Sequence, residues 1–283
     1  MKILLATLLL GSTAFAQIPG LSGIKDKLSG TTSKTAPVTD RAQRAMDTFT
    51  PWTPDEEQQI GEAGAEKLVA IFGLVDDQAL EKYVNLVGLA VAQFASRQLP
   101  WRFGILNTNI VGAFALPGGY VFITRGSISG MANEAQLAGA LGHEIEHGAA
   151  RHLESEIRGK KTSAWAAQEA MATTKKIPAQ LKSQADALVK DLVGTALSRS
   201  KEQDADEQGA RMAAKAGYAG TGLMEFLKVA AAASTDAHNK RFFGQLLATH
   251  PPFDDRIARL SVQDSARAKG KTVDARFHKA IGR

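Results

Sequence analysis

Residues 133–152 read NEAQLAGALGHEIEHGAARH. Asn133, with Gln136 three positions later, is a capping-box signature, so a helix is expected to begin here. Leu137, Leu141 and Ile145 recur every four residues and give it an apolar stripe. One continuous helix through His152 is the simplest expectation. At its centre His143-Glu144-Ile145-Glu146-His147 forms an H-E-x-x-H pattern. Residues four apart lie one above the other on a helix, so two such imidazoles can share one Zn²⁺ at about 2.0–2.1 Å. Glu144 sits one residue round from His143, within reach of a water on the metal. Solvent-facing helices also carry two His and two Glu by chance. The rest of the chain therefore has to supply a third ligand, a substrate surface and a compartment.

The 283 residues suffice for one large or two small domains, and a hydrophobic fraction of 44% is that of a globular core. The absence of cysteine excludes disulfides, zinc–cysteine fingers, cysteine nucleophiles and the Cys-linked acyl anchor of a bacterial lipoprotein. Residues 1–16 read as a signal peptide: Lys2, an apolar run, then Ala14-Phe15-Ala16 as a small-x-small cleavage site. No later segment reaches the ~18 apolar residues of a membrane helix. A periplasmic or otherwise exported location, with no transmembrane segment after signal removal, is the expectation. Of the net charge of +5, the last twenty residues supply most, with six Lys/Arg against two Asp. Residues 263–283 are thus expected to form a solvated basic tail, and the body carries no nucleic-acid signature.

Residues 17–50 are rich in Gly, Ser, Thr and Lys and read as a flexible lead-in, with the folded domain expected over 51–262. Thr53-Pro54-Asp55-Glu56 predicts a capped helix that Gly73 stops. A second helix is expected from about Asp77 to Leu99, before Pro100. Residues 101–107 and 113–124 have the composition of strands, with Pro117-Gly118-Gly119 as a turn or bulge. Beyond His152 the pattern is helical: 178–197, a helix capped by Ser200 and Gln203 and ended by Gly217, then 221–233 and 254–260.

Catalytic zinc wants three protein ligands and an open position. A third His six residues after His147 is closed off, because Leu153 stands there. His152 would point about 140° away round a regular helix, so it is read as a structural or surface histidine and not a ligand. Glu202 with Asp206 one turn on offers a carboxylate ligand and a partner that could fix a ligand histidine's tautomer. Glu154, Glu156 and Glu169 are weaker candidates without such an Asp.

On these residues the chain resembles the zinc metallopeptidase family of HtpX, the CAAX prenyl endopeptidases and periplasmic BepA-like proteases, over roughly residues 51–260. Residues 113–119 resemble the family's strand and turn before the catalytic helix. His143 to His152 resembles its metal helix, and 198–206 its third-ligand segment. Thr249-His250-Pro251 with Arg256-Ile257 resembles its C-terminal motif. Gly112 departs from the Asn that many relatives carry there. The resemblance implies an α+β, mainly helical, zincin-like domain with a small sheet beside the H-E-x-x-H helix. It implies one Zn²⁺ on His143, His147 and Glu202, Glu144 as general base, and Asp206 as a supporting catalytic residue, in some readings a proton donor. His250 is the candidate for the oxyanion, with Arg256 and Tyr218 behind it; the same His can instead latch the zinc. The implied substrates are misfolded or misassembled exported proteins, bound as an extended strand along residues 113–116 or a neighbour, with an envelope partner protein possible. The alternative from another class is a chaperone-like binding protein with a latched or structural zinc.

Overall fold

Thr53 starts the first helix, α1 (Pro54–Phe72), through the capping box its sequence predicts: its side chain accepts from Glu56 N, and Glu56 accepts from Thr53 N. The computed structural model describes residues 51–156, 158, 197–234, 253–263 and 270–282, all within one unit, Asp47–Arg283. The signal-peptide and lead-in readings, the 178–197 helix, Glu169 and His250 lie outside the described residues. Among the described residues, no helix is long and apolar enough to cross a membrane.

Helix α2 (Gln78–Ala92) is capped by Asp77, which accepts from Ala79 N and Leu80 N. It buries Leu80, Val84, Val87 and Val91, as its period requires. It stops at Ala92, seven residues short of the expected end. The chain turns off its axis so that Arg97 can meet Glu57 at 2.7 and 2.8 Å. The same guanidinium donates to the carbonyls of Gly148 (2.7 Å) and Ala149 (3.1 Å). A long-range charge contact thus overrides local helix propensity.

Three strands follow: β1 (Arg102–Leu106), β2 (Ala113–Leu116) and β3 (Tyr120–Thr124), in the order β1-β3-β2. β3 is central and buried along its whole length. It runs parallel to β1 (Phe103↔Val121) and antiparallel to β2 (Phe114↔Phe122). Pro117-Gly118-Gly119 is one 3-10 turn with φ of 74° and 88° at its glycines, the left-handed backbone that favours Gly. Among the described residues, strand β2 is an edge of the sheet. A short helix, α3 (Arg125–Gly130), stands between β3 and the next element.

That element is α4 (Glu134–Ala149), buried at every residue. Asn133 accepts from Gln136 N, but Gln136 reaches back to Ala132 N, one residue beyond the expected partner. Helix α5 (Arg199–Lys215) packs on α4 backbone to backbone. A Cβ on Gly142 would meet Gly209 O at 2.6 Å, and one on Gly209 would meet His143 N at 2.5 Å. Only glycine permits that approach. Ser198, not Ser200, is the N-cap of α5, and it makes no side-chain cap bond; Gly217 (φ 94°) follows its end as expected. α6 (Gly222–Ser234) and α7 (Phe253–Gln263) complete the surround. The described architecture is the mainly helical α+β arrangement expected, with a small sheet beside the H-E-x-x-H helix.

Residues 270–282 correct the solvated-tail reading. They bridge Tyr218 through Lys271, accept from Ala135 N at Thr272 O (3.2 Å), and end in α8 (Asp274–Ala280), whose Phe277 is fully buried. One of the basic residues there, Arg276, is the partner of an acid. Buried Glu134 accepts from Tyr83 OH and Tyr218 OH, both at 2.7 Å, and from Arg276 Nε at 2.6 Å. Burial alone would raise its carboxyl; Arg276 and the two tyrosines outweigh that and hold it below the ordinary range. A carboxylate depressed by folding stabilises above its unfolded pKa of about 4.3, and that share is lost as pH falls through the folded value. Glu134→Gln is expected to cost about 1–3 kcal/mol at pH 7. The gap to wild type should shrink below about pH 4.3. Urea unfolding at both pH values checks this; an equal gap at each would assign the loss to shape and not charge.

Candidate metal centre

The helical period of α4 brings His143 Nε2 and His147 Nε2 to 2.9 Å. The Gly142–Gly209 contact sets α5 against them, and Glu202 lies two turns before Gly209. Its Oε1 is 3.4 Å from His147 Nε2 and its Oε2 is 3.6 Å from His143 Nε2. A tetrahedral zinc with bonds of about 2.0–2.1 Å holds its ligand atoms about 3.3 Å apart. One ligand atom from each residue lies within 4.8 Å of the others, and all three side chains are buried. Two imidazoles and a carboxylate fit a zinc ion in donor type, number and spacing.

Each histidine is oriented through its other ring nitrogen. His143 Nδ1 lies 3.1 Å from Asp206 Oδ1, one turn beyond Glu202 on α5. That carboxylate is in turn gripped by α7: Arg256 donates from Nε at 2.9 Å and from a terminal nitrogen at 2.6 Å, and Arg259 donates at 2.9 Å. Burial would raise the Asp206 carboxyl, but the His143 hydrogen bond and the Arg256 charge hold it far below the usual carboxylate range. Arg256 also stands 3.2 Å from Glu202 Oε2. From its sequence motif it is only a reserve oxyanion donor; in the fold its guanidinium pairs with Glu202 and Asp206 and lies 3.3 Å from His143 Nδ1.

His152 is the larger surprise. A regular helix would carry it away from His147, but the helix ends at Ala149 and Arg151 takes φ 55°. Residues 152–156 then turn helical again. The break returns His152 to the site, buried, with Nδ1 2.9 Å from His147 Nδ1 and Nε2 3.4 Å from Asp204 Oδ2. Burial holds its imidazole below the ordinary range, against the pull of Asp204. Around the break, Arg151 reaches Glu57 (3.0 Å) and the Trp52 carbonyl (3.2 Å), while Arg97 holds the last carbonyls of α4. Burial pushes the neighbouring Glu146 carboxyl up to about 7, and the Asp204 charge adds to it.

Glu144 is buried and lines a cleft with His143 and Arg256. The far wall of the cleft is apolar: Phe114, Leu223, Phe226 and Leu227. Ala113 and Phe114 of β2 border His143 and Glu144; Ala115 and Leu116 border His147 on the other side. The edge strand therefore flanks the metal group along its length. Tyr218 is not at the site; its hydroxyl is spent on Glu134, which corrects its reading as an oxyanion donor. Glu154 accepts from Trp52 N, and Glu156 pairs with Lys201, so neither competes with Glu202.

The profile of peptidase family M48 matches residues 78–263, more than half of the chain. A Beta-barrel assembly-enhancing protease of Escherichia coli (strain K12) is 27% identical over 212 residues, which are 72% of this chain and 42% of that protein. Mitochondrial metalloendopeptidase OMA1 of Arabidopsis thaliana is 26% identical over 200 residues, covering 70% of this chain and 37% of the relative. Metalloprotease YcaL of Escherichia coli (strain K12) is 28% identical over 158 residues, 56% of this chain and 59% of the relative. The chain thus spans less than half the length of the first two.

Proposed function

The chain belongs to peptidase family M48, and from that premise we propose that it is a zinc-dependent metalloendopeptidase acting on misfolded or misassembled proteins of an exported compartment. The observation that carries this reading is the convergence of His143, His147 and Glu202 in a cleft that also holds Glu144 and is flanked by an edge strand. Zinc held there by His143, His147 and Glu202 would supply a Lewis acid and an acidified water. Glu144 is placed to accept a proton from that water and to return it to the leaving amine. Asp206 holds His143 through its Nδ1. Strand β2 offers its free edge to an extended substrate, so main-chain pairing selects unfolded segments over folded ones. The apolar wall of the cleft favours an apolar side chain beside the scissile bond. The name of one relative, the Beta-barrel assembly-enhancing protease, supports β-barrel proteins as a substrate class. The reading of residues 1–16 as a signal peptide supports an exported location.

The test is degradation of casein and of an unfolded barrel protein by the purified chain, with a chelator and then zinc restored. Cleavage should vanish and return. Binding without cleavage in the zinc-loaded chain would replace the peptidase by a chaperone-like protein.

A further inference from the structure

We infer that His152 and Asp204 form a positioning relay that fixes the metal-binding tautomer of His147. The inference rests on the zinc reading of His143, His147 and Glu202. It follows by accounting for ring protons. If Nε2 of His147 faces the metal, its lone pair is used there, and a neutral imidazole then carries its proton on Nδ1. The atom facing that proton is His152 Nδ1, at 2.9 Å. It can accept only with its own lone pair, so His152 carries its proton on Nε2. That nitrogen faces Asp204 Oδ2 at 3.4 Å. Each link therefore sets the next, and the chain of contacts ends on a carboxylate at the surface, since the Asp204 side chain is 44% exposed.

The two ligand histidines are consequently held by different means. His143 donates directly to an anion, Asp206, which α7 clamps. His147 donates to a neutral ring, and the charge stands one imidazole further off. The helix break at Arg151 is what makes this possible, because it alone brings His152 Nδ1 to the face of α4 that carries His147. The 93% burial of His152 leaves the ring no solvent to satisfy it otherwise.

The experiment compares four chains: wild type, His152→Asn, His152→Gln and His152→Phe. Asn places an acceptor oxygen where His152 has Nδ1. Gln extends its amide to where His152 has Nε2. Phe fills the space with no acceptor at either position. Zinc affinity is read by competition with a chromophoric chelator, and the melting temperature of each zinc-free chain controls for folding. The relay predicts that Phe and Gln lose about 10–100-fold in affinity, the usual effect of removing a partner of a metal ligand. Asn should recover most of the loss although it is the smallest. A packing role predicts the reverse order, with Phe and Gln above Asn, and that order would overturn the inference. Because Asp204 is at the surface, Asp204→Asn gives a second variant that tests the far end without risk to the core. A several-fold loss supports the relay. If wild type binds zinc and neither His152→Phe nor Asp204→Asn weakens it, the relay is wrong and the metal site stands. If wild type binds no zinc, the metal site fails and the relay with it.

Discussion

Glu144→Gln is expected to keep about one zinc per chain and to lose proteolysis by roughly 10²–10⁴-fold, the usual contribution of a positioned general base. The amide preserves shape and polarity in a position that is 5% exposed, so the fold has no reason to change. It cannot take up a proton. None of the three ligand atoms belongs to Glu144, so metal content should be that of wild type. Parallel metal analysis and casein cleavage check both halves. Cleavage at the wild-type rate would remove Glu144 from the chemistry and leave Glu146, the other carboxyl of the motif, as the next to examine.

Glu202→Ala should do the opposite: lose the metal first and activity as a consequence. The carboxylate is fully buried against two imidazoles and Arg256. Removing it takes away one of three protein ligands and leaves the Arg256 charge without one of its acids. The affinity loss should exceed the roughly 100-fold typical of outer partners. Zinc should raise the melting temperature of wild type, because it binds only the folded chain, and should leave the variant unmoved. Glu202→Gln, which keeps the volume, separates loss of the ligand from collapse of the site. Full zinc occupancy in both variants would place the third ligand elsewhere.

Much of this centre was legible in the sequence because it rests on helical period alone. His143 and His147 share a face whatever surrounds them, and Glu202 and Asp206 share another. Glycine and proline punctuation gave the ends of α1 and the turn before β3 for the same local reason. What was not legible depends on contacts far apart in the chain. Arg97 ends α2 early in order to reach Glu57 and the last carbonyls of α4. Those carbonyls and the Glu57–Arg151 pair hold the left-handed residue that turns His152 inward. A calculation on an ideal helix sends that ring about 140° away, and nothing within twenty residues says otherwise. Arg256 was noticed through its motif, but its commitment to Asp206 needs α7 folded over α5. The basic terminus misled for a related reason: its charges were counted without the buried carboxylate that receives one of them.

The glycine contact between α4 and α5 also fixes the span of the metal group. Two rings are stacked on one helix, and the carboxylate comes from a second helix whose backbone already touches the first at Gly142 and Gly209. A side chain at either position would push the helices apart and widen the gap between Glu202 and the two imidazoles. The spacing of the three donors is thus held by a pair of absent side chains.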